Sequence, residues 1–264
     1  MATIDTRDQT VTEKVAEFSE VGLFLLDATS PFDSTLDAAA AAAQKTVPVD
    51  ATTNAAVDDY AMIHEGNELE IIDVETINAA VDVVAKSNLW KLHASGQVIK
   101  GLVKVILGEV MEDGFQDELS IVMNLHNVGT RHGAWDSTPG HHEQALSFQI
   151  VHATIDNIQL ALGLADSATG GTGSDADPWY VDSDPEQFAK GLQQSSLCHQ
   201  GRIPGVYVLG EYLNTGEIFE IQYWSCALGG GDFGFPLKVD DLSPVQFRFN
   251  WFANRRFLRY AGGG

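Results

Sequence analysis

Apolar and polar residues alternate with period two in several segments of this chain, three of them clearly, and such alternation marks strands with one face buried. In Val98–Met111, Val103, Val105 and Leu107 share one face while Lys100, Lys104 and Gly108 lie on the other. In Glu217–Leu228, Phe219, Ile221 and Tyr223 alternate with Glu220 and Gln222. The sharpest case is Val245–Phe252, where Val245, Phe247, Phe249 and Trp251 alternate with Gln246, Arg248 and Asn250. Asn67–Glu75, Gln144–Ile155 and Gly205–Leu213 read as three further strands, and GLFLL at 22–26 opens the folded body. Each pattern predicts a core side and a side facing solvent or a neighbouring subunit.

Helical signals are fewer. Leu119, Val122 and Met123 follow helical spacing and predict a short helix over Phe115–Leu125; Asp184 as an N-cap predicts another over Pro185–Leu197. Strands outnumber helices without regular strand–helix alternation, so the expected fold is mainly β, an antiparallel β-sandwich or barrel with one or two short helices and long loops. Three loops are expected. Residues 28–56 carry Ser, Thr and Asp punctuation and six consecutive alanines at 38–43; 127–142 and 166–184 are rich in Gly, Ser, Thr, Asp and Pro. Residues 1–20 read as a flexible N-terminal arm and 21–264 as a single domain.

Composition narrows the setting. Asp and Glu number 37 against 15 Lys and Arg, giving a net charge of −22 over 264 residues. Hydrophobic residues make up 44%, so the charge covers a folded surface instead of keeping the chain unfolded. Bulk attraction to nucleic acid or anionic membrane is disfavoured. The acids are mostly Asp and lysines are scarce, a composition that keeps a surface hydrated when salt screens repulsion, and it reads as adaptation to high salt. The polar N-terminus and the lack of any apolar run near the ~20 residues of a membrane span predict a chain with no signal peptide and no membrane association. Cys198 and Cys226 have no CxxC spacing and are expected to be buried free thiols.

Chemistry-bearing motifs are sparse. The phosphate loop GxxxxGK[ST], the nucleophile elbow GxSxG and the zinc pair HExxH do not occur. His126, His132, His141 and His142 with Asp136 and Glu143 form the densest titratable group, and imidazoles with carboxylates suit a transition metal. Adjacent His141 and His142 lack the spacing that puts two ligands on one helical face, which favours a solvated polar loop. Asp175, Asp177, Asp182, Asp184 and Glu186 are hard-oxygen donors without the EF-hand pattern, and an acidic loop is expected anyway at this charge. Arg248, Arg255, Arg256 and Arg259 are four of seven arginines, placed either to meet carboxylates of a neighbouring subunit or DNA, or to solvate a strand end. The reading assigns no catalytic residue, no cofactor and no metal, and does not expect an enzyme.

Four stretches in order resemble the major tail tube proteins of long-tailed, siphovirus-like viruses. VGLFLLDATSPFDSTLDAAAAA at 21–42 is similar to the family's opening strand and its Thr/Pro/Asp-rich loop. NELEIIDVETINAAVDVV at 67–84 is similar to a strand with an acid-led E-x-E pattern. VIKGLVKVILGEVMEDGFQDELSIVMN at 98–124 resembles the long strand that reaches a glutamate, here Glu109, and then a helix. FEIQYWSCALGGGDFGFPLKVDDLSPVQFRFNWFAN at 219–254 is similar to the C-terminal hairpin whose last strand completes the sandwich. The resemblance covers about half the chain; the loops at 127–142 and 166–184 match nothing in it, and the Arg-rich end at 255–259 is extra.

The resemblance implies a homo-oligomer, hexameric rings stacked into a tube in the virion tail, joined by other tail proteins and conducting viral DNA without specific binding. Assembly in the cytoplasm of a haloarchaeal host follows from that and the salt-adapted composition. The arm at 1–20 and the loop at 28–56 are the expected contacts between stacked rings. Alternatives are another virion structural protein (capsid, decoration, tail-terminator or baseplate ring protein), a metal-dependent hydrolase resting on the histidine loop, and a monomeric ligand-binding module.

Overall fold

In a computed structural model the described residues are 16–27, 31–65, 68–78, 81–126, 136–151, 169–170, 180–181, 199, 202–213, 215–228, 245–252 and 254–260, and they fold mainly into antiparallel strands. β1 (Ala16–Leu26) pairs β11 (Ile203–Tyr212), which pairs β12 (Glu217–Leu228), then β13 (Val245–Trp251), β8 (Asp136–Ile150) and β7 (Val98–His126). β7 returns to β1, with Glu20 opposite Glu109 and Leu26 opposite Leu102, which closes a six-stranded barrel. Closure removes the free edges that an open sheet of this length would present.

The first residues of β7 also belong to a second layer. β4 (Tyr60–Glu65) pairs β7 over Val98–Leu102, followed outward by β5 (Glu68–Asn78), β6 (Asp82–Ala85) and β3 (Thr46–Pro48). β2 (Asp33–Thr35) joins the other edge of β7, and β14 (Arg255–Tyr260) pairs β12 over Ile218–Tyr223. Two short strands, β9 (Thr169–Gly170) and β10 (Tyr180–Val181), pair only with each other.

Three apolar clusters follow from this layering. Val21, Leu23, Leu107, Val110, Leu146, Phe148, Val206, Val208, Tyr223, Phe247 and Phe249 fill the barrel. Phe24, Met62, Leu69, Ile71, Leu102, Tyr207 and Trp224 join the outside of the barrel to β4 and β5. Phe32, Leu36, Val47, Ile63, Ile72, Val74, Val83, Leu89 and Ile99 occupy the far face of β4 and β5. Gly22 is required where β1 crosses the barrel, because a Cβ there would lie 2.4 Å from both the Tyr207 hydroxyl and the Val105 carbonyl oxygen.

The mainly β class and the antiparallel barrel agree with the expected fold. The expected helix over Phe115–Leu125 is instead strand, part of β7 and paired with β8 from Phe115 opposite Phe148 to His126 opposite Asp136. Register shifts between Val110 and Phe115 and between Ile121 and Met123 break the alternation, and the apolar residues that remain imitate helical spacing. The helix expected over Pro185–Leu197 lies outside the described residues.

Strand also reaches into segments read as loop or arm. β1 begins at Ala16, inside the expected arm; β8 begins at Asp136, inside the expected 127–142 loop; β2 and β3 lie within 28–56. Pro139 and Gly140 in β8 explain the misreading, since these residues ordinarily punctuate turns and are tolerated where a strand has only one partner. The expected buried face of Val103 and Val105 is 36% and 38% exposed, and Lys104 on the opposite face points into the second cluster. The shift between Val21 and Gly22 opposite Gly108 and Ile106 changes the phase of β7, so Leu107 is buried while Val105 is not.

Candidate assembly ribbon and buried polar seam

β13 pairs β8 only over Ala145–Ile150, while β7 and β8 continue together to His126 and Asp136. Residues 119–126 and 136–144 therefore form a two-stranded ribbon beyond the barrel wall. At about 3.3 Å per residue it spans roughly 30 Å. A lone two-stranded ribbon is marginally stable in water.

The ribbon also settles how the histidine group is arranged. His126 lies opposite Asp136, whereas His142 lies opposite Ile121 and Glu143 opposite Ser120. His126 lies five positions beyond Ile121 along β7, about 16 Å, so the backbone places His142 and Glu143 well away from the His126–Asp136 pair. His132 is outside the described residues, as are Asp175, Asp177, Asp182, Asp184, Glu186 and Cys198. Among the described residues no group of three or more His, Cys, Asp or Glu is placed to hold a metal ion. Cys226 is a buried free thiol; burial pushes its pKa up, and its S–H faces the Tyr223 carbonyl at 3.3 Å.

Two of the four arginines serve the fold. Arg255 pairs with Asp117, which also accepts the Tyr223 hydroxyl at 3.1 Å. Arg256 donates to the Ile71 carbonyl at 2.9 Å and to the Ser87 hydroxyl, tying β14 to β5. Arg248 lies on β13 opposite Ser147, and Arg259 lies on β14 opposite Phe219.

The alternation in β12 hides a second site. Glu220 and Gln222, on the face read as polar, are each 1% exposed. Lys104 reaches Glu220 at 2.8 Å, Gln222 donates to the other Glu220 oxygen at 2.6 Å, and the Trp224 indole donates to Gln222 at 3.2 Å. The Lys104 ammonium stands 4.3 Å from the Tyr207 ring centroid and 4.7 Å from that of Tyr60, a cation–π enclosure. Burial, and then the Glu220 charge, raises the Tyr60 pKa; burial, and then Glu20, raises that of Tyr207, whose hydroxyl donates to Glu20 at 3.0 Å. Both phenols stay protonated. Nothing in a period-two pattern announces this seam, because it requires the outer sheet to cover the polar side of a barrel strand.

A parallel device holds the far face. Glu70 accepts the Trp90 amide at 2.6 Å and the His93 Nε2 contact at 2.8 Å, while His93 Nδ1 meets Gln97 at 2.8 Å. These bonds pin the 86–97 segment over β5.

No protein-family model matches the chain, and no curated protein matches it. No helix among the described residues is long and apolar enough to cross a membrane.

Proposed function

We propose that this chain is the major tail tube subunit of a long-tailed virus, forming stacked hexameric rings around a channel through which viral DNA passes without specific binding. Its partners are copies of itself and other virion tail proteins, and its place is the virion tail, assembled in the host cytoplasm. The observation that carries the reading is the combination of a closed barrel with a projecting two-stranded ribbon. A closed barrel offers no edge for pairing, so contacts between copies fall to what extends from it. A charge of −22 supports the same role, because a negative channel repels phosphates and lets DNA slide. The same charge suits a haloarchaeal host.

The ribbon replaces residues 1–20 as the leading contact between rings, since Ala16–Glu20 are already committed to β1. Negative-stain electron microscopy of the purified protein in molar salt tests the proposal. Tubes or six-fold rings with a central channel are expected. Uniform monomers overturn it, and closed shells reassign the chain to capsid.

A further inference from the structure

His64 is the last residue but one of β4, opposite Leu69 of β5 and Val98 of β7. The bridge between His199 and Arg202 that leads into β11 lays the His199 ring beside it, with centroids 4.0 Å apart and planes at 46°. Both ring nitrogens of His64 are buried and hydrogen-bond to none of the described residues. Burying a polar nitrogen without a partner forfeits its hydration, and such a group calls for a specific explanation, an ion among them.

The surroundings keep this imidazole neutral. Burial, then His199, then Lys100 lower the His64 pKa to about 4, and only Asp33 acts in the other direction. The two charged neighbours neutralise one another, with Lys100 Nζ 3.4 Å from Asp33, and Glu65 is engaged by Gln97 at 2.5 Å. Among the described residues, the ring that lies against His64 is a second imidazole, that of His199. Neutral imidazole offers a nitrogen lone pair, a borderline donor that suits Zn²⁺, Ni²⁺ and Cu²⁺ and suits Mg²⁺ or Ca²⁺ poorly.

We propose that His64 and His199 form a two-imidazole site for one borderline transition-metal ion, with water completing the coordination. Metal–nitrogen bonds of about 2.0–2.1 Å require the two rings to turn toward a common point and to move apart from their present 4.0 Å separation. The ion clamps β4 of the outer sheet to the segment entering β11 of the barrel. The inference is independent of the assembly reading, and neither histidine belongs to the group the sequence singles out.

The test is thermal unfolding of the full-length protein, stripped with EDTA, at pH 7.5 in molar KCl, with ZnCl₂, NiCl₂ or CuCl₂ and with MgCl₂ for comparison. A transition metal at a hundredfold excess over its Kd is expected to raise Tm by roughly 5 °C or more, with one ion bound per chain, and Mg²⁺ to leave Tm unchanged. The rise is expected to vanish in His64→Gln and His199→Gln and to persist in His141→Gln and His142→Gln. Loss of the rise in the latter pair instead, its survival in His64→Gln, or no rise with any of the three metals overturns the assignment. Should His64→Gln fail to fold, electron paramagnetic resonance of the Cu²⁺-loaded natural protein decides the matter: couplings from two imidazole nitrogens are expected, and one or none overturns the site.

Discussion

Lys104 and Glu220 meet at 2.8 Å in the seam between the barrel and the outer sheet, the carboxylate 1% exposed and the ammonium enclosed by tyrosine rings. Removing one member of a buried pair strands the other charge, which costs about 3–5 kcal/mol, whereas removing both costs much less. Glu220→Gln and Lys104→Met are each expected to lower the urea midpoint strongly, and the double variant to recover much of the loss. A double variant as unstable as the sum of the singles would show that the two side chains are not coupled.

Gly22 tests the packing of the same seam. An added methyl would meet the Tyr207 hydroxyl and the Val105 carbonyl oxygen, each at 2.4 Å. The second neighbour is backbone, so Gly22→Ala is expected to destabilise by about 2 kcal/mol or more, and Tyr207→Phe to leave that loss largely in place. Gly96→Ala is the contrast: its φ of 84° is strained for alanine but its surroundings are open, and a loss of about 1 kcal/mol is expected. Chemical denaturation of the three variants separates the two mechanisms.

The barrel strands were legible because their inner face is apolar and their outer face polar over most of their length, as in Val245–Trp251 where Phe247 and Phe249 are buried between exposed Gln246 and Arg248. The pattern failed where a second layer covers the polar side, as at Glu220 and Gln222, and where register shifts break the alternation, as at Ile106 and in Phe115–Leu125. His64 escaped notice for a related reason. A single histidine at a strand end carries no spacing signal, and its partner His199 lies 135 positions away, the difference between the two residue numbers.

The His64 imidazole also predicts an acid limb of stability. Its pKa is about 4 in the folded chain against 6.5 for the free side chain, so the unfolded chain binds more protons between those values. The contribution is fully present above pH 6.5 and is lost progressively as pH falls toward 4. Because the residue is only half-buried, solvent screening reduces the effect to about 1–2 kcal/mol. Asp73 acts in the opposite sense: burial raises its pKa despite Lys86, so its share is lost as pH rises. Comparing the natural protein with His64→Gln in EDTA isolates the histidine; the difference in stability between pH 7 and pH 4.5 is expected to shrink in the variant, and an identical pH dependence would reject the assignment.

Truncation from the N-terminus separates folding from assembly. Removing residues 1–15 leaves β1 whole and is expected to keep Tm within a few degrees. Removing 1–20 deletes the pairing of Ala16 with Tyr212 and of Glu20 with both Leu209 and Glu109, together with the Tyr207–Glu20 hydrogen bond, and is expected to lower Tm by several degrees or more. Differential scanning calorimetry of the two truncations checks this. Equal stability of both would mean that the start of β1 contributes nothing to barrel closure.

The ribbon can be removed without touching the barrel. Leu119 and Gln144 lie opposite one another, and Ala145–Ile150 beyond them hold the pairing with β13. Replacing residues 120–143 by a two-residue Asn-Gly turn closes the shortened hairpin with a geometry that matches strand twist. The excised segment lies beyond the part of β8 that pairs β13, so the variant is expected to unfold within a few degrees of the natural protein. Under the tail tube reading it is also expected to lose tubes in molar salt and to remain as monomers or isolated rings, as seen by electron microscopy and sedimentation. A folded variant that still forms tubes of normal length would remove the ribbon from the contact between rings and return that role to the 28–56 segment, where β2 and β3 are short and most of the chain faces outward.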